Sequence, residues 1–267
     1  MNGCVLALLL GAGPGGLALP GFQVHVMASE SLDPDRLRAL ARPEVVLWVR
    51  TRTNGLRRST VETLQLAGSA FVEVRPPLGA PALAPFVGRI GPWIDLRDVD
   101  VSRVRRWSPG RLAVDVDGPF TEALVARLRV LRPAAVRWSR GGWPEHDEWV
   151  RVRGFHGVEL LGLGKAPVDC GAVPARTRVR VRLALGLVTA DGVCGMPLRV
   201  EVAAAAEAAE VHTLLLAHPG ADLAVDVGGE TAQADAARRW IDQLAAATPV
   251  SSVATRPDAG VQDGGWR

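Results

Sequence analysis

Tyrosine is absent from the 267 residues, lysine occurs once, at Lys165, and asparagine twice, at Asn2 and Asn54. All but one of the 31 basic side chains are therefore arginines, a usage that looks like the coding bias of a GC-rich genome. With a net charge of only +3 and no basic block or aromatic-interleaved stripe, the chain lacks the electrostatic footprint of a nucleic-acid binder, and no nucleic-acid partner is expected. Long hydrophobic runs are missing too. The apolar stretch from Cys4 to Leu10 is too short to span a bilayer, and nothing else approaches the ~20 apolar residues that a transmembrane helix needs. There is no Cys-x-x-Cys and no Cys/His pair at zinc-ligand spacing, so neither a structural metal nor a cofactor is expected. Cys170 and Cys194 stand about one structural repeat apart, and two readings stay open: a disulfide in an oxidising compartment, or two unlinked small residues.

What is present is enough apolar material, 48% of residues against 22% charged, for one full-sized core. The apolar stretch at Cys4–Leu10 leads through Gly/Pro-rich sequence to small residues at Gly16 and Ala18, which predicts an export signal over residues 1–18 cleaved after Ala18. The same segment, Gly11-Ala-Gly13-Pro-Gly15-Gly16, resembles the dinucleotide-binding fingerprint, with Glu30 as ribose partner. That fingerprint needs a helix after its last glycine to hold the pyrophosphate, and Leu17–Gln23, interrupted by Pro20 and Gly21, leaves no room for one. The last 19 residues, from Pro249, are rich in Ser, Gly, Asp and Pro without periodicity and read as a flexible tail, leaving residues 22–248 as a single domain.

Within that domain one pattern recurs about every 22 residues: a short alternating strand, a loop, an amphipathic helix and a tight return. Strands are predicted to begin near 23, 45, 70, 92, 111, 134, 157, 178, 197 and 221, and helices follow Asp33-Pro34 and fill Phe120–Leu131 and Glu230–Ala247. Alternating strands and helices imply parallel pairing. The repeat fits an α/β protein of (β/α)8-like, TIM-type architecture, in which eight or so strands close into a barrel. The alternative is an open β/α solenoid, less favoured because the asparagine or cysteine that holds each inner turn of such a repeat is missing. Val179–Val202 can also be read as a hairpin turning at Asp191-Gly192.

Period two then sorts the side chains. The valines, leucines and isoleucines of each strand must pack on the helices, which turns the interleaved charges to the other face. That face gathers Glu73, Asp95, Asp115, Asp117, Glu159 and Asp226 with Arg50, Arg75, Arg97, Arg137, Arg180 and Arg182. Charges buried in a barrel must pair, and acids and arginines on adjacent strands are expected to do so. At the carboxyl ends of the strands, where barrel sites lie, the sequence predicts a polar mouth of Arg52, Arg75, Arg97, Asp98, Asp117, Arg140 and Lys165. Trp48, Trp138 and Trp143 stand near enough to stack on a ligand. The expected ligand is a small molecule or glycan, carbohydrate or anionic, held by Arg75, Arg97, Arg137, Arg140, Trp48 and Trp138.

Carboxylates on facing strands, Asp117 and Glu159, have the chemistry of an acid and base for cleaving a glycosidic bond. The likeness to barrel glycosidases stays general: Leu96-Arg97-Asp98 stands where many of them carry Asn-Glu. Asp115-Val-Asp117-Gly118 resembles the nucleophile loop of haloacid-dehalogenase-like phosphatases. That would make Asp115 the nucleophile and Asp117 the acid/base, although Pro119 and Phe120 depart from the residues usual after the glycine. Trp143-Pro-Glu145-His146-Asp147-Glu148 reads as a helix start with Pro144 in its first position rather than as a metal cluster, and His25 as a satisfied interior residue. A non-catalytic binding or structural protein with an ion-paired interior fits the same face.

Overall fold

The computed structural model describes residues 22–51, 58–75, 89–98, 100, 111–163, 170–171, 173, 177–188 and 193–247. The segments expected to be a signal peptide and a tail lie outside them, as do Arg52, Lys165 and the Asp191-Gly192 turn.

Ten strands form a closed barrel: β1 (Val24–Ser29), β2 (Val45–Arg50), β3 (Ser69–Glu73), β4 (Ile90–Asp95), β5 (Ala113–Asp117), β6 (Ala135–Ser139), β7 (Val158–Leu161), β8 (Arg180–Ala184), β9 (Leu198–Glu201) and β10 (Asp222–Gly228). Each pairs in parallel with its sequence neighbours, and β10 closes the ring on β1. The strand count is therefore ten rather than eight, and the hairpin reading fails because β8 and β9 run parallel, Val181 opposite Leu198 and Leu183 opposite Val200.

Among the described residues six α-helices accompany the strands: α1 (Pro34–Leu40), α2 (Arg58–Leu64), α3 (Glu122–Leu131), α4 (His146–Val152), α5 (Ala208–Ala217) and α6 (Thr231–Ala247). Local chemistry sets their ends. The Asp33 carboxylate accepts from the backbone N–H of Asp35 and Arg36, at 3.0 and 3.2 Å, with Pro34 opening α1. Thr121 caps α3 through Leu124 N–H. Glu145, not a residue before Pro144, caps α4, in a reciprocal capping box with Glu148.

The core lies between the outer faces of the strands and the helices. Val24, Val26, Leu47, Val49, Val114, Val136, Leu160, Val181, Val200 and Val225 point outward into one continuous apolar cluster that includes Leu128, Trp149 and Trp240 from the helices. Full burial of each such side chain contributes about 1.5–3 kcal/mol, so this shell fixes the register of every strand. Close approach requires glycine at Gly91, where a Cβ would fall 1.9 Å from Arg111 O, at Gly68, 2.1 Å from Pro43 O, and at Gly157, with φ +68°, 2.5 Å from Ala134 O. A single disulfide, Cys170–Cys194, joins the β7–β8 connection to the β8–β9 connection. No helix among the described residues is long and apolar enough to cross a membrane.

Candidate functional site

The alternation that sends aliphatic side chains outward fills the lumen with two unlike walls. On β1 to β5, Met27, Val46, Trp48, Phe71, Trp93 and Ala113 form a small apolar cluster of their own. Trp48 stacks on Phe71 with centroids 4.5 Å apart and meets Trp93 edge-on at 5.5 Å. From β4 to β8 a charged row runs in register: Asp95, Asp115, Arg137, Glu159 and Arg180 are successive partners across five strands.

Toward the amino ends of the strands this charge is locked. Arg199 Nη1 lies 2.7 Å from Glu159, and Arg180 Nη1 lies 2.6 Å from Asp222. These two closest pairs join alternate strands, β9 with β7 and β8 with β10, while the expected pairing between adjacent strands is present but looser, as in Arg199–Asp222 at 3.6 Å. Layers of a barrel interior are built by every second strand, and direct register neighbours here include like charges, Asp95 beside Asp115 and Arg182 beside Arg199. Burial alone would raise the Glu159 carboxyl, but Arg199, Arg182 and Arg137 hold it below the usual range. His25 is pushed well below its ordinary value, first by burial and then by Arg199, Arg180, Arg182 and Arg137.

Toward the carboxyl ends the pairing loosens around a cavity of about 220 Å³, lined by Met27, Arg50, Arg137, Arg182, Glu201 and Asp226, with Leu161 and Gly162. Three guanidinium groups, from β2, β6 and β8, reach it. Their carboxylate contacts are long: Arg50–Asp226 3.3 Å, Arg182–Glu201 3.3 Å and Arg137–Asp115 3.5 Å. Arg137 Nη1, Arg182 Nε and Asp115 Oδ1 are buried without a hydrogen bond to the described residues. Arg137 rests on the aromatic wall, its guanidinium 4.6 Å from the Trp93 ring centre and 5.2 Å from that of Trp48. Burial lowers its affinity for the proton, with Asp115 and Glu159 opposing the change.

Two carboxyls at this end are driven apart. Hydrogen bonding to Arg97 holds Asp95 below the usual range. Burial pushes Asp115 up, against the pull of Arg137 and a hydrogen bond from Trp93 and with the help of Asp95 and Glu73.

The expected site residues are thereby distributed. Asp115 and Arg137 meet beside the cavity. Asp117 stands two residues further along β5 at the rim, 2.9 Å from Arg97, while Glu159 is buried a layer deeper on Arg199, so these two carboxylates do not share a space. Arg75 and Arg97 are exposed at the rim, on Glu73 and on Asp95 with Asp117.

Other residues expected to touch a ligand have different neighbours in the structure. Trp138 is 0% exposed on the outer face, under Phe120, with its Nε1–H donating to Gly118 O; as a sequence neighbour of Arg137 it must point the opposite way. Arg140 turns to α4, with Nε 3.0 Å from Glu148 and Nη2 3.3 Å from Glu145. Trp48 is luminal but only 3% exposed, and it supports Arg137 instead of offering a free ring. Trp143 packs against the outer core, and among the described residues no group of His, Cys, Asp or Glu is placed to hold a metal ion. Arg199, Glu201 and Asp222 were missing from the sequence-derived set, although Arg199 and Glu201 flank the outward Val200 and so fall to the lumen by the same alternation.

No protein-family model and no curated protein matches this chain. Among solved structures it is similar to the YdjI aldolase from Escherichia coli K12, at 9% identity over 84% of this chain and 88% of that one, TM-score 0.35. It is also similar to a Rubisco-like protein from Rhodopseudomonas palustris, at 11% identity over 85% of this chain and 64% of that one, TM-score 0.35. The strand order and parallel register described above make the chain an α/β barrel, a fold that binds ligands at the carboxyl ends of its strands.

Proposed function

We propose that the barrel binds a small anionic ligand, of the size of a short sugar acid or a sugar phosphate, in the cavity at the carboxyl ends of its strands. The observation that carries this is the contrast between the two halves of the lumen. The deep pairs are closed at 2.6 and 2.7 Å, whereas the three guanidiniums at the cavity stand 3.3–3.5 Å from their carboxylates, and Arg137 Nη1 and Arg182 Nε are buried there without a hydrogen bond among the described residues. A guanidinium offers five N–H donors in a fork that matches carboxylate and phosphate oxygens, and charge-assisted bonds of this kind are worth about 1.5–3 kcal/mol each. The Trp48–Trp93 floor holds Arg137 in place and excludes water from beneath it.

Should the ligand be turned over, the acid and base favoured are Asp115 and Asp95, whose environments push them in opposite directions. Asp117 and Glu159 lend less support to a glycoside hydrolase, each being tied to its own arginine in a different layer. Export remains part of the proposal, supported by the Cys170–Cys194 disulfide, since such bonds persist in oxidising compartments.

The test is calorimetric titration with sulfate, phosphate, short sugar acids and the matching neutral sugars, on the native protein and on Arg50→Gln, a half-exposed position chosen so that folding survives. Anions should bind, neutral sugars should not, and Arg50→Gln should weaken the anions about tenfold, the equivalent of ~1.4 kcal/mol. Equal binding of neutral and anionic sugars, or no effect of the substitution, would overturn the reading.

A further inference from the structure

We propose that an anion entering the cavity takes Arg137 away from Asp115, and that Asp115 takes up a proton as it does so, making anion binding and proton uptake one event. This deepens the anion-site reading and rests on it.

The geometry singles out Asp115 among the luminal acids. Glu159 is clamped by Arg199 at 2.7 Å, Asp222 by Arg180 at 2.6 Å, and Asp95 receives hydrogen bonds from the Arg97 side chain as well as from its backbone N–H. The one guanidinium that meets Asp115 among the described residues, that of Arg137, stands 3.5 Å away, and neither Asp115 Oδ1 nor Arg137 Nη1 is in a hydrogen bond. Of the groups arranged around it, the acids that push its carboxyl up are Asp95, its direct partner on β4, and Glu73 of β3. Trp93 donates to it from β4, and Asp117 follows on its own strand with Arg97 between that residue and Asp95. On the other side stand Arg137 of β6 and, one strand further, Glu159. Arg137 is thus the cation on which the Asp115 charge depends.

Arg137 also lines the cavity. An anion bound there puts another negative charge beside Asp115 while drawing the guanidinium toward itself, and the cheapest response is for Asp115 to accept a proton from solvent. Burial already leans Asp115 in that direction. With a singly charged anion the proton leaves the site's net charge unchanged, and with a doubly charged one such as sulfate it offsets half of the charge that enters. Asp115 is in this sense a specificity-determining residue: it makes the site favour anions under mildly acid conditions.

Sulfate is the probe, because it does not itself titrate near neutral pH. Calorimetry at several pH values between 4.5 and 8, in pairs of buffers with different ionisation enthalpies, reads both affinity and protons taken up. The native protein should take up close to one proton per sulfate in the pH range between the free-state and the bound-state titrations of Asp115, with Kd rising up to about tenfold per pH unit across that window and levelling off above it. Asp115→Asn should bind sulfate with a flat pH profile and no uptake. Binding without proton uptake, or uptake that persists in Asp115→Asn, overturns this inference alone. Failure of the native protein to bind sulfate or any other small anion overturns the anion site itself. If Asp115→Asn does not fold, carboxyl ¹³C titration of the native protein reads the same event: one aspartate must protonate at higher pH with sulfate than without it, and an unchanged set of titrations counts against the proposal.

Discussion

His25 is the residue in which the lumen's electrostatics become a property of folding. Trp48 Nε1 lies 3.0 Å from its Nδ1 and Arg199 Nη2 lies 2.7 Å from its Nε2. Both neighbours are donors, and a neutral imidazole has one acceptor nitrogen, so only one of the contacts is a hydrogen bond in either tautomer. Burial disfavours the charged ring first of all, and a protonated ring would also have no acceptor and add a cation beside Arg199, Arg180 and Arg182, which is why its pKa falls well below 6.5. The folded protein therefore binds fewer protons here than the unfolded chain once the pH drops below the unfolded value. Stability is unaffected by His25 above that value and is lost as the solution is made more acid, by up to about 1.4 kcal/mol per pH unit until the folded-state value is reached. Urea denaturation at pH 7.5, 6.0 and 5.0 checks this. His25→Gln, which keeps an acceptor but does not titrate, should show a correspondingly shallower loss across that window, even if its stability at pH 7.5 is lower. Equal slopes for the two proteins would mean that the ring is protonated in the fold.

At the scale of elements, Glu148 shows how one side chain can join two helices. Its carboxylate accepts from Phe120 N–H at 2.8 Å, just before α3, and from Glu145 N–H at 2.9 Å, at the start of α4, and pairs with Arg140 at 3.0 Å. Burial would raise the carboxyl, yet those two backbone donors and Arg140 hold it below the usual range. Its contribution is thus present above the unfolded carboxyl value and is lost as the pH falls through the lower folded one. Glu148→Ala leaves the buried Phe120 N–H and the part-buried Glu145 N–H without their acceptor and Arg140 with Glu145 alone, and a loss of about 3 kcal/mol is expected in denaturant unfolding at pH 7. Glu145→Ala, exposed at the same helix start, should lose about 1 kcal/mol. Similar losses for the two would show that the bridge to Phe120 adds nothing.

The same scale shows what alternation could and could not reveal. All ten strands follow from aliphatic residues at every second position, and α1 from Asp33-Pro34. In contrast, α5, Ala-Ala-Glu-Val-His-Thr-Leu-Leu-Leu-Ala, has too little polar contrast between its faces to announce itself. Asp115, Arg137 and Arg182 were placed in the lumen by period two, and strict use of that rule would have added Arg199 and Glu201 and sent Trp138 outward. Arg140 lies past the end of β6, where the period no longer applies, and its attachment to α4 depends on contacts that no local pattern encodes.

For the whole molecule, closure raises a problem that the apolar shell solves unevenly. α3 and α4 follow β5 and β6, and α5 and α6 follow β9 and β10, but no α-helix among the described residues lies between β7 and β8 or between β8 and β9. The ring must nevertheless stay shut there, because β8 carries Arg180 and Arg182 and stands between the two halves of the Arg199–Glu159 pair. The Cys170–Cys194 bond ties together the two connections that flank β8. In chain-entropy terms, closing a loop of this length removes enough freedom from the unfolded chain to stabilise the fold by about 3 kcal/mol. Reduction of the native protein, or Cys170→Ser, should therefore lower unfolding stability by about that amount, while a reductant should have no effect on a variant lacking both cysteines. Cys194 carries a second constraint, a φ of +53° that disfavours any side chain. Cys194→Gly loses the crosslink but gains the residue best suited to that backbone. It should be more stable than Cys194→Ser by roughly 1 kcal/mol, a difference read by comparing the two under identical denaturant conditions. If Cys194→Ser and Cys194→Gly unfold together, that backbone conformation exists only while the disulfide holds it, and the β8–β9 connection relaxes once the bond is gone.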